Sequence, residues 1–161
     1  MSWNVLNENF NVLIKQLFHA KEWESRAEAA KQLGLLRDGR SVNLLCRALK
    51  SEKDNSVIIR IIEALGRIGN ANATLRIIEK LQIETSKDEL DKRTVLIIIE
   101  SLMRIKDKRA LPQLSKFLSS NFEEIRQLTE KAFDEIEPRW NDIIHEATRK
   151  KTTEEIFNSR Y

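Results

Sequence analysis

Residues 26–49 read RAEAAKQLGLLRDGRSVNLLCRAL, which is an apolar block with helical spacing, a short polar turn and a second apolar block. The same order returns in residues 58–81, IIRIIEALGRIGNANATLRIIEKL, and in residues 98–118, IIESLMRIKDKRALPQLSKFL. The leucines that recur in the first blocks are Leu33, Leu65 and Leu102. Those that close the second blocks are Leu49, Leu81 and Leu118, and both series advance by 32 and then 37 residues. A period of this length is typical of a helical solenoid.

Glycines and turn residues refine this prediction. Gly34 and Gly66 directly follow the recurring leucine, and a missing side chain there predicts close approach of the neighbouring helix. Each pair of blocks is joined by about five residues that combine a helix stop signal with a short polar residue able to cap the next helix. We therefore expect tight helical hairpins.

The fold class that follows is all-α. We predict a right-handed α-solenoid of about four helical hairpins with capping helices at both ends, forming a single domain over residues 1–161. The predicted units are an N-terminal capping helix in 1–20, repeats in 21–50, 54–82 and 87–119, and a degenerate fourth repeat with a C-terminal cap in 121–161. The longer second step predicts an extended loop that leads into a third first-helix beginning at Ser86, with Glu89 completing a capping box.

The composition agrees with long helices. Charged residues make up 33% of the chain and hydrophobic residues 41%, with only four glycines and two prolines, which disfavours sandwiches and barrels. The single cysteine, Cys46, excludes an intrachain disulfide and is predicted to be a buried, inert thiol. The sequence shows neither a secretory signal nor an apolar run of about 20 residues, so we expect a soluble cytoplasmic protein without a membrane partner.

Basic residues form a candidate partner-binding surface. In the repeat register Arg37 is equivalent to Lys106, Arg40 to Arg109 and Arg47 to Lys116. The first two pairs, with Arg104 and Lys108, define a basic edge along the hairpin turns, whereas Arg47 and Lys116 are predicted on the second helices. A competing explanation is that cations favour helix carboxyl ends and that a chain with this much charge needs solvated faces. The middle repeat interrupts both rows with Gly69, Asn72 and Glu79.

The repeats resemble a known family. Arg26 stands seven residues before Leu33-Gly34 and is followed by Asp38 and a leucine-rich second helix. This pattern is similar to the HEAT-repeat superfamily, most of all to the short HEAT-like repeats of phycobilisome lyases, and it covers roughly residues 20–136. The resemblance implies a protein-binding scaffold whose second helices line the concave face. It also implies a structural arginine between repeats, although Ile58 and Val95 replace that arginine before it returns as Arg126.

Enzymatic relatives can be tested against the residues. HEAT-like deoxyhypusine hydroxylases hold two irons with several His-Glu pairs, but this chain has one such pair, His145-Glu146, and its other histidine is His19. HEAT-like DNA glycosylases use aromatic residues in a basic groove, whereas Trp3, Trp23 and Trp140 are scattered and are predicted to be buried or capping. No catalytic, metal or cofactor residues are therefore predicted.

The leading functional hypothesis is a noncatalytic scaffold for protein–protein interaction. It presents its concave second-helix face and the basic edge to another protein, with an acidic segment as the expected ligand. The alternative is nucleic-acid binding through phosphate contacts, which a formal net charge of +3 supports only weakly. Minor alternatives are a lyase-type enzyme or enzyme subunit, and a homodimer formed through an end that exposes Ile156 and Phe157.

Overall fold

A computed structural model of the chain describes residues 3–148, with side chains from residue 5 onward. Within that range the chain forms nine α-helices and no β-strand. They are α1 (Trp3–His19), α2 (Trp23–Leu36), α3 (Val42–Ser51), α4 (Asn55–Ile68), α5 (Thr74–Thr85), α6 (Lys92–Ile105), α7 (Leu111–Leu114), α8 (Glu123–Ile136) and α9 (140–148). The predicted all-α solenoid is confirmed, while its right-handed sense and its division into repeats stay predictions.

The helices form two rows. Helices α2, α4, α6 and α8 pack side by side, each on the next, and α1 covers the free side of α2. The shorter helices α3 and α5 each pack on the following member of the first row, and α7 packs on α8. The recurring leucines lie between the rows, where Leu33, Leu65 and Leu102 are completely buried. The sequence period therefore reflects the core.

A repeated turn connects the two rows. The residue that follows each of α2, α4 and α6 has a left-handed backbone. These residues are, in order, Arg37 (φ 50°), Gly69 (φ 75°) and Lys106 (φ 59°). The next side chain, Asp38, Asn70 or Asp107, accepts a hydrogen bond from the backbone N–H two residues further on and starts a short 3-10 turn. One capped turn thus recurs three times.

The two glycines permit the predicted close approach. A methyl group built on Gly34 would lie 2.7 Å from Ala64 Cα, and one on Gly66 would lie 2.7 Å from both Ser101 Cα and Ser101 Cβ. Such distances are well inside carbon–carbon contact, which is about 3.5–4.0 Å. The first-row helices therefore touch backbone to backbone at these two glycines.

The arginine of the family pattern has the structural role that the resemblance implies. Arg26 Nε lies 2.8 Å from Glu52 Oε2, and Arg26 Nη1 donates to the carbonyl of Ala20 at 3.1 Å. Arg126 Nη1 makes the equivalent bond to the carbonyl of Ser120 at 2.7 Å. In the second repeat Ile58 takes the place of the arginine.

The replacement of the arginine by Ile58 leaves a buried glutamate, Glu84, without an arginine partner in the described part of the chain. Glu84 is the register equivalent of Glu52 and is equally buried. Its Oε1 accepts a hydrogen bond from Lys87, but its Oε2 is buried and has no hydrogen-bond partner among the described residues. The second repeat therefore keeps the carboxylate of an ion pair without its arginine.

The predicted start of the third first-helix was wrong. Helix α6 begins at Lys92 rather than at Ser86, because the Asp91 side chain accepts bonds from the Arg93 N–H and the Thr94 hydroxyl. Ser86 instead ends α5, where its hydroxyl donates to the carbonyl of Ile83. The longer step between repeats comes from the extension of α5 and from the connection 86–91.

Both ends of the described part of the chain are helical. Helix α1 lies where the N-terminal capping helix is predicted, and α9 follows Pro138. The predicted self-association residues Ile156 and Phe157 lie outside the described residues. Among residues 3–148, no helix has the length and apolar character needed to cross a membrane.

Candidate protein-interaction surface

Two arginines of the basic edge link neighbouring units of the solenoid. Arg40 Nε bonds Asp38 Oδ2 at 2.9 Å, while its Nη1 donates to Asn7 Oδ1 of α1 at 2.9 Å. Arg109 behaves in the same way in the third repeat, because its Nη2 lies 2.6 Å from Asp107 Oδ2 and donates to the Ala71 carbonyl of the preceding turn at 2.8 Å. Both guanidinium groups thus connect their own turn to the unit before it.

The carboxylates in these turns are electrostatically stabilised. The hydrogen bond from the Arg109 side chain, supported by the backbone N–H of Arg109, lowers the pKa of Asp107 to about 2. The Arg40 side chain likewise lowers the pKa of Asp38 below its ordinary value. Both aspartates are therefore ionised acceptors at neutral pH, and their negative charge offsets that of the arginine beside them.

Two lysines of the basic edge form ion pairs with one glutamate in α8 and one directly after it. Lys106 Nζ lies 2.7 Å from Glu135 Oε2, and Lys108 Nζ lies 2.5 Å from Glu137 Oε2. Each lysine lowers the pKa of its glutamate through that hydrogen bond. Basic residues of the third repeat are therefore paired directly with acidic residues that follow it in the chain.

Five of the eight candidate cations thus have a carboxylate partner, since Arg104 also pairs with Glu100 at 2.6 Å. The other three, Arg37, Arg47 and Lys116, have no carboxylate partner among the described residues. Arg47 lies over the ring of Phe18 with its Cζ 5.7 Å from the centroid, and Lys116 donates to Gln113 Oε1 at 3.0 Å. These three side chains carry the uncompensated positive charge of the candidate surface.

The second-helix row also exposes an apolar pair that the sequence analysis missed. Leu75 and Ile83 lie on α5 and are 55% and 50% exposed. Their positions alternate with the buried Ile77, Ile78 and Leu81, so the helical spacing carries the signal. Arg47 lies on the preceding second helix, as predicted, whereas Lys116 lies in the 3-10 turn Ser115–Phe117 just after α7 rather than on that helix. Both are register equivalents of Glu79, which lies between Leu75 and Ile83 in the sequence. The surface therefore combines apolar and basic groups.

The two tryptophans with described side chains differ in burial. Trp140 is partly buried, packs on Phe133 with ring centroids 5.2 Å apart, and donates through Nε1 to Asp134 Oδ1 at 2.7 Å. Trp23, in contrast, begins α2 and is 43% exposed, so of the predicted buried and capping roles burial does not apply to it. The Trp3 side chain lies outside the described residues.

The histidines and the cysteine do not come together in a catalytic or metal-binding site among the described residues. His19 and His145 are both exposed and lie on α1 and α9, near opposite ends of the solenoid. Among the described residues, no group of three or more histidine, cysteine, aspartate or glutamate side chains is placed to hold a metal ion. Cys46 is half-buried rather than buried, and partial burial raises the pKa of its thiol.

Comparison with known proteins identifies the family. The model of the HEAT repeats family matches residues 10–90, which is half of the chain. The chain therefore belongs to the HEAT repeat family, and the resemblance drawn from Leu33-Gly34 and its equivalents is confirmed.

One solved structure with a similar fold is the complex of CpcE and CpcF of phycocyanin lyase from Nostoc sp. PCC7120, with a TM-score of 0.68 and 20% sequence identity. The similarity covers 80% of this chain and 53% of that chain, so this protein spans about half the length of its structural neighbour. At this identity the likeness shows a shared fold alone. That fold is built from HEAT-like repeats of the phycobilisome lyase type. A comparison with curated proteins found no match.

Proposed function

We propose that the chain is a noncatalytic scaffold that presents its second-helix face and basic edge to a partner protein with an acidic segment. The observation that carries the proposal is the combination of an exposed apolar pair, Leu75 and Ile83, with Arg47 and Lys116, cations that have no carboxylate partner among the described residues. Membership of the HEAT repeat family supports a role in protein interaction.

The apolar and basic groups contribute differently to such an interface. Complete burial of a leucine or isoleucine contributes about 1.5–3 kcal/mol, so the remaining half of Leu75 and Ile83 together offers roughly 2 kcal/mol on binding. Arg47 and Lys116 mainly steer an acidic partner and fix its position, because rim charges affect association rate and specificity more than affinity. An amphipathic acidic segment satisfies both requirements.

The structure also changes which residues make good probes. Reversal of charge at Arg40 or Arg109 would break bonds to Asn7 or Ala71 as well as any bond to a partner. Lys116 makes no such link between units among its described contacts, and Arg47 reaches α1 only through its contact with the ring of Phe18, without a hydrogen bond. Substitution at these two positions therefore reports on the exposed surface with less effect on stability.

The proposed test is capture of a partner by the tagged protein from lysate, with the partner identified by mass spectrometry and then purified. The variant is Arg47→Glu with Lys116→Glu. The matched control is Lys31→Glu with Lys131→Glu, which makes the same change in net charge on the first-helix row. We expect at least a tenfold loss of partner affinity in the first variant only. Equal affinity for the folded variant and the original protein would refute the proposal.

Nuclease treatment separates protein binding from the nucleic-acid alternative. Capture that survives nuclease and depends on Arg47 and Lys116 supports the scaffold. Loss of all partners after nuclease, with affinity that falls steeply with salt, would assign the cations to phosphate contacts instead.

A further inference from the structure

A groove lies between α1 and the first hairpin turn. Its volume is about 530 Å³, within the range of about 300–1,000 Å³ that is common for ligand pockets. Leu6 and Phe10 of α1 line one side, and Leu36, at the end of α2, lines the other. The turn residues Arg37, Asp38, Gly39 and Arg40 line the rest, so the groove joins an apolar lining to the basic edge. The Asp38 carboxylate is paired with Arg40, which leaves the charge of Arg37 uncompensated at the groove.

The apolar lining is particular to the first hairpin. Leu35 and Leu36 are 52% and 42% exposed. At the position of Leu35 the second and third repeats carry Arg67 and Arg104, and the third repeat has the buried Ile105 at the position of Leu36. The first repeat therefore exposes two leucines where the third repeat has an arginine and a covered isoleucine.

The two arginines at the groove differ in their hydrogen-bond and ion-pair partners. Arg40 bonds Asp38 and Asn7 and lies over the ring of Phe10, with its Cζ 4.6 Å from the centroid. Arg37 is exposed and has no carboxylate partner among the described residues. The equivalent Lys106 in the third repeat, in contrast, pairs with Glu135. Of these two equivalent cations, the one at the groove is therefore the uncompensated one.

The backbone at Arg37 is strained, as it also is at the equivalent Lys106. Its φ of 50° lies in the left-handed region, where a non-glycine residue is disfavoured by roughly 1 kcal/mol. Gly69 occupies the same position in the second repeat and avoids that strain. The chain thus holds an uncompensated guanidinium beside an apolar groove at a position where glycine would be the more stable choice.

We infer that this groove binds a short segment of a partner protein in which an aromatic or aliphatic side chain stands next to a carboxylate. The side chain packs against Leu6, Phe10 and Leu36, and the carboxylate pairs with the guanidinium of Arg37. The inference rests on the proposed function, because it takes the ligand to be a protein, and it assigns that protein's chemistry at one end of the basic edge.

The test is an NMR titration of the full chain with two small probes, N-acetyl-L-phenylalanine and N-acetyl-L-phenylalaninamide. Both contain the aromatic ring, but only the first carries a carboxylate. We expect saturable shifts of the backbone amides near Leu6, Phe10 and Leu36 with the carboxylate probe, at a Kd on the order of 1 mM for a ligand of this size. The amide probe should bind at least fivefold more weakly.

Arg37→Gly removes the guanidinium and keeps the left-handed backbone, so it should lower affinity for the carboxylate probe to that of the amide probe. Lys106→Gly makes the same change in the third repeat and should leave both affinities unchanged. Equal binding of the two probes, unchanged binding by Arg37→Gly, or no saturable shift at the groove would each overturn the inference.

The two proposals fail separately. If the groove does not bind the probe but Arg47→Glu with Lys116→Glu abolishes partner capture, only the groove is refuted. If the groove binds the probe but capture is unaffected by those substitutions, the second-helix surface is refuted and the groove stands.

Discussion

Replacing Gly66 by alanine tests how closely α4 and α6 pack. The added methyl group would lie 2.7 Å from Ser101 Cα and 2.8 Å from Ser101 Oγ. Because ordinary contact distances are about 3.5–4.0 Å, the two helices must separate by roughly 1 Å. The contact includes backbone, so rotation of the serine side chain cannot relieve it.

The expected loss of stability can be estimated from two opposing effects. Overpacking of a well-packed interior costs about 1–3 kcal/mol, and a backbone clash places Gly66→Ala at the upper end. Alanine favours an α-helix over glycine by about 1 kcal/mol, which opposes that loss. The net free energy of unfolding should therefore fall by about 2 kcal/mol, which lowers the midpoint of urea unfolding by roughly 1 M.

The assay is urea unfolding followed by circular dichroism at the helical band, with Gly39→Ala as matched control. A methyl group on Gly39 meets no atom within 4 Å, so that variant should be as stable as the original protein to within about 0.5 kcal/mol. Adding Ser101→Gly to Gly66→Ala should restore part of the loss, since it removes the Cβ and Oγ contacts. A Gly66→Ala protein as stable as the original would refute the close approach of the two helices.

Three further predictions use the same unfolding assay. Glu52→Gln should lower the free energy of unfolding by about 2 kcal/mol, because it leaves the largely buried Arg26 without its counter-ion. Glu84→Gln should change the free energy of unfolding by less than about 1 kcal/mol, because Glu84 has no arginine partner and its Oε2 has no hydrogen bond among the described residues. Equal losses for the two variants would contradict this account. Asp107 has a pKa lowered to about 2, so its stabilisation is present above about pH 4 and is lost as pH falls towards 2. The Asp107→Asn variant should therefore be about 1–2 kcal/mol less stable at pH 7, and this difference should shrink as pH falls from about 4 through 2. A pH-independent difference would exclude the ionic contribution. Arg37→Gly should gain about 0.5–1 kcal/mol by relieving the left-handed backbone, and a loss would show that the arginine side chain stabilises the turn.

The sequence predicts the core well because the apolar residues that recur with the helical period are the ones that become buried. Leu33, Leu65 and Leu102 recur in register since each fills the space between its own hairpin and the next, and all three are completely buried. The start of α6 was not predictable in the same way. Ser86 and Asp91 both have the chemistry of a helix cap, and only the three-dimensional path of the connection shows that Asp91 takes that role.

The candidate surface was predictable only in part. Register placed equivalent cations at the hairpin turns and on the second helices. It could not show that Lys106 and Lys108 reach Glu135 and Glu137, because those pairs join residues 29 positions apart through the packing of α8 on α6. Nor could it distinguish Arg40, which contacts α1, from Arg37, which has no carboxylate partner among the described residues.

The pattern of pairing moves the proposed interface towards the first half of the solenoid. Ion pairs in the third repeat and α8 compensate Arg104, Lys106, Lys108 and Arg109 within the protein. A partner must displace a carboxylate to use any of them, and exposed pairs of this kind contribute about 0–1 kcal/mol whichever acid supplies the charge. The net gain therefore falls to cations without a counter-ion and to exposed apolar side chains. These are Arg37 and Arg47 in the first repeat, Leu75 and Ile83 on α5, and Lys116 just after α7. The acidic partner proposed for this scaffold should accordingly lose more affinity from Arg47→Glu than from Lys106→Glu, although both substitutions change the net charge equally.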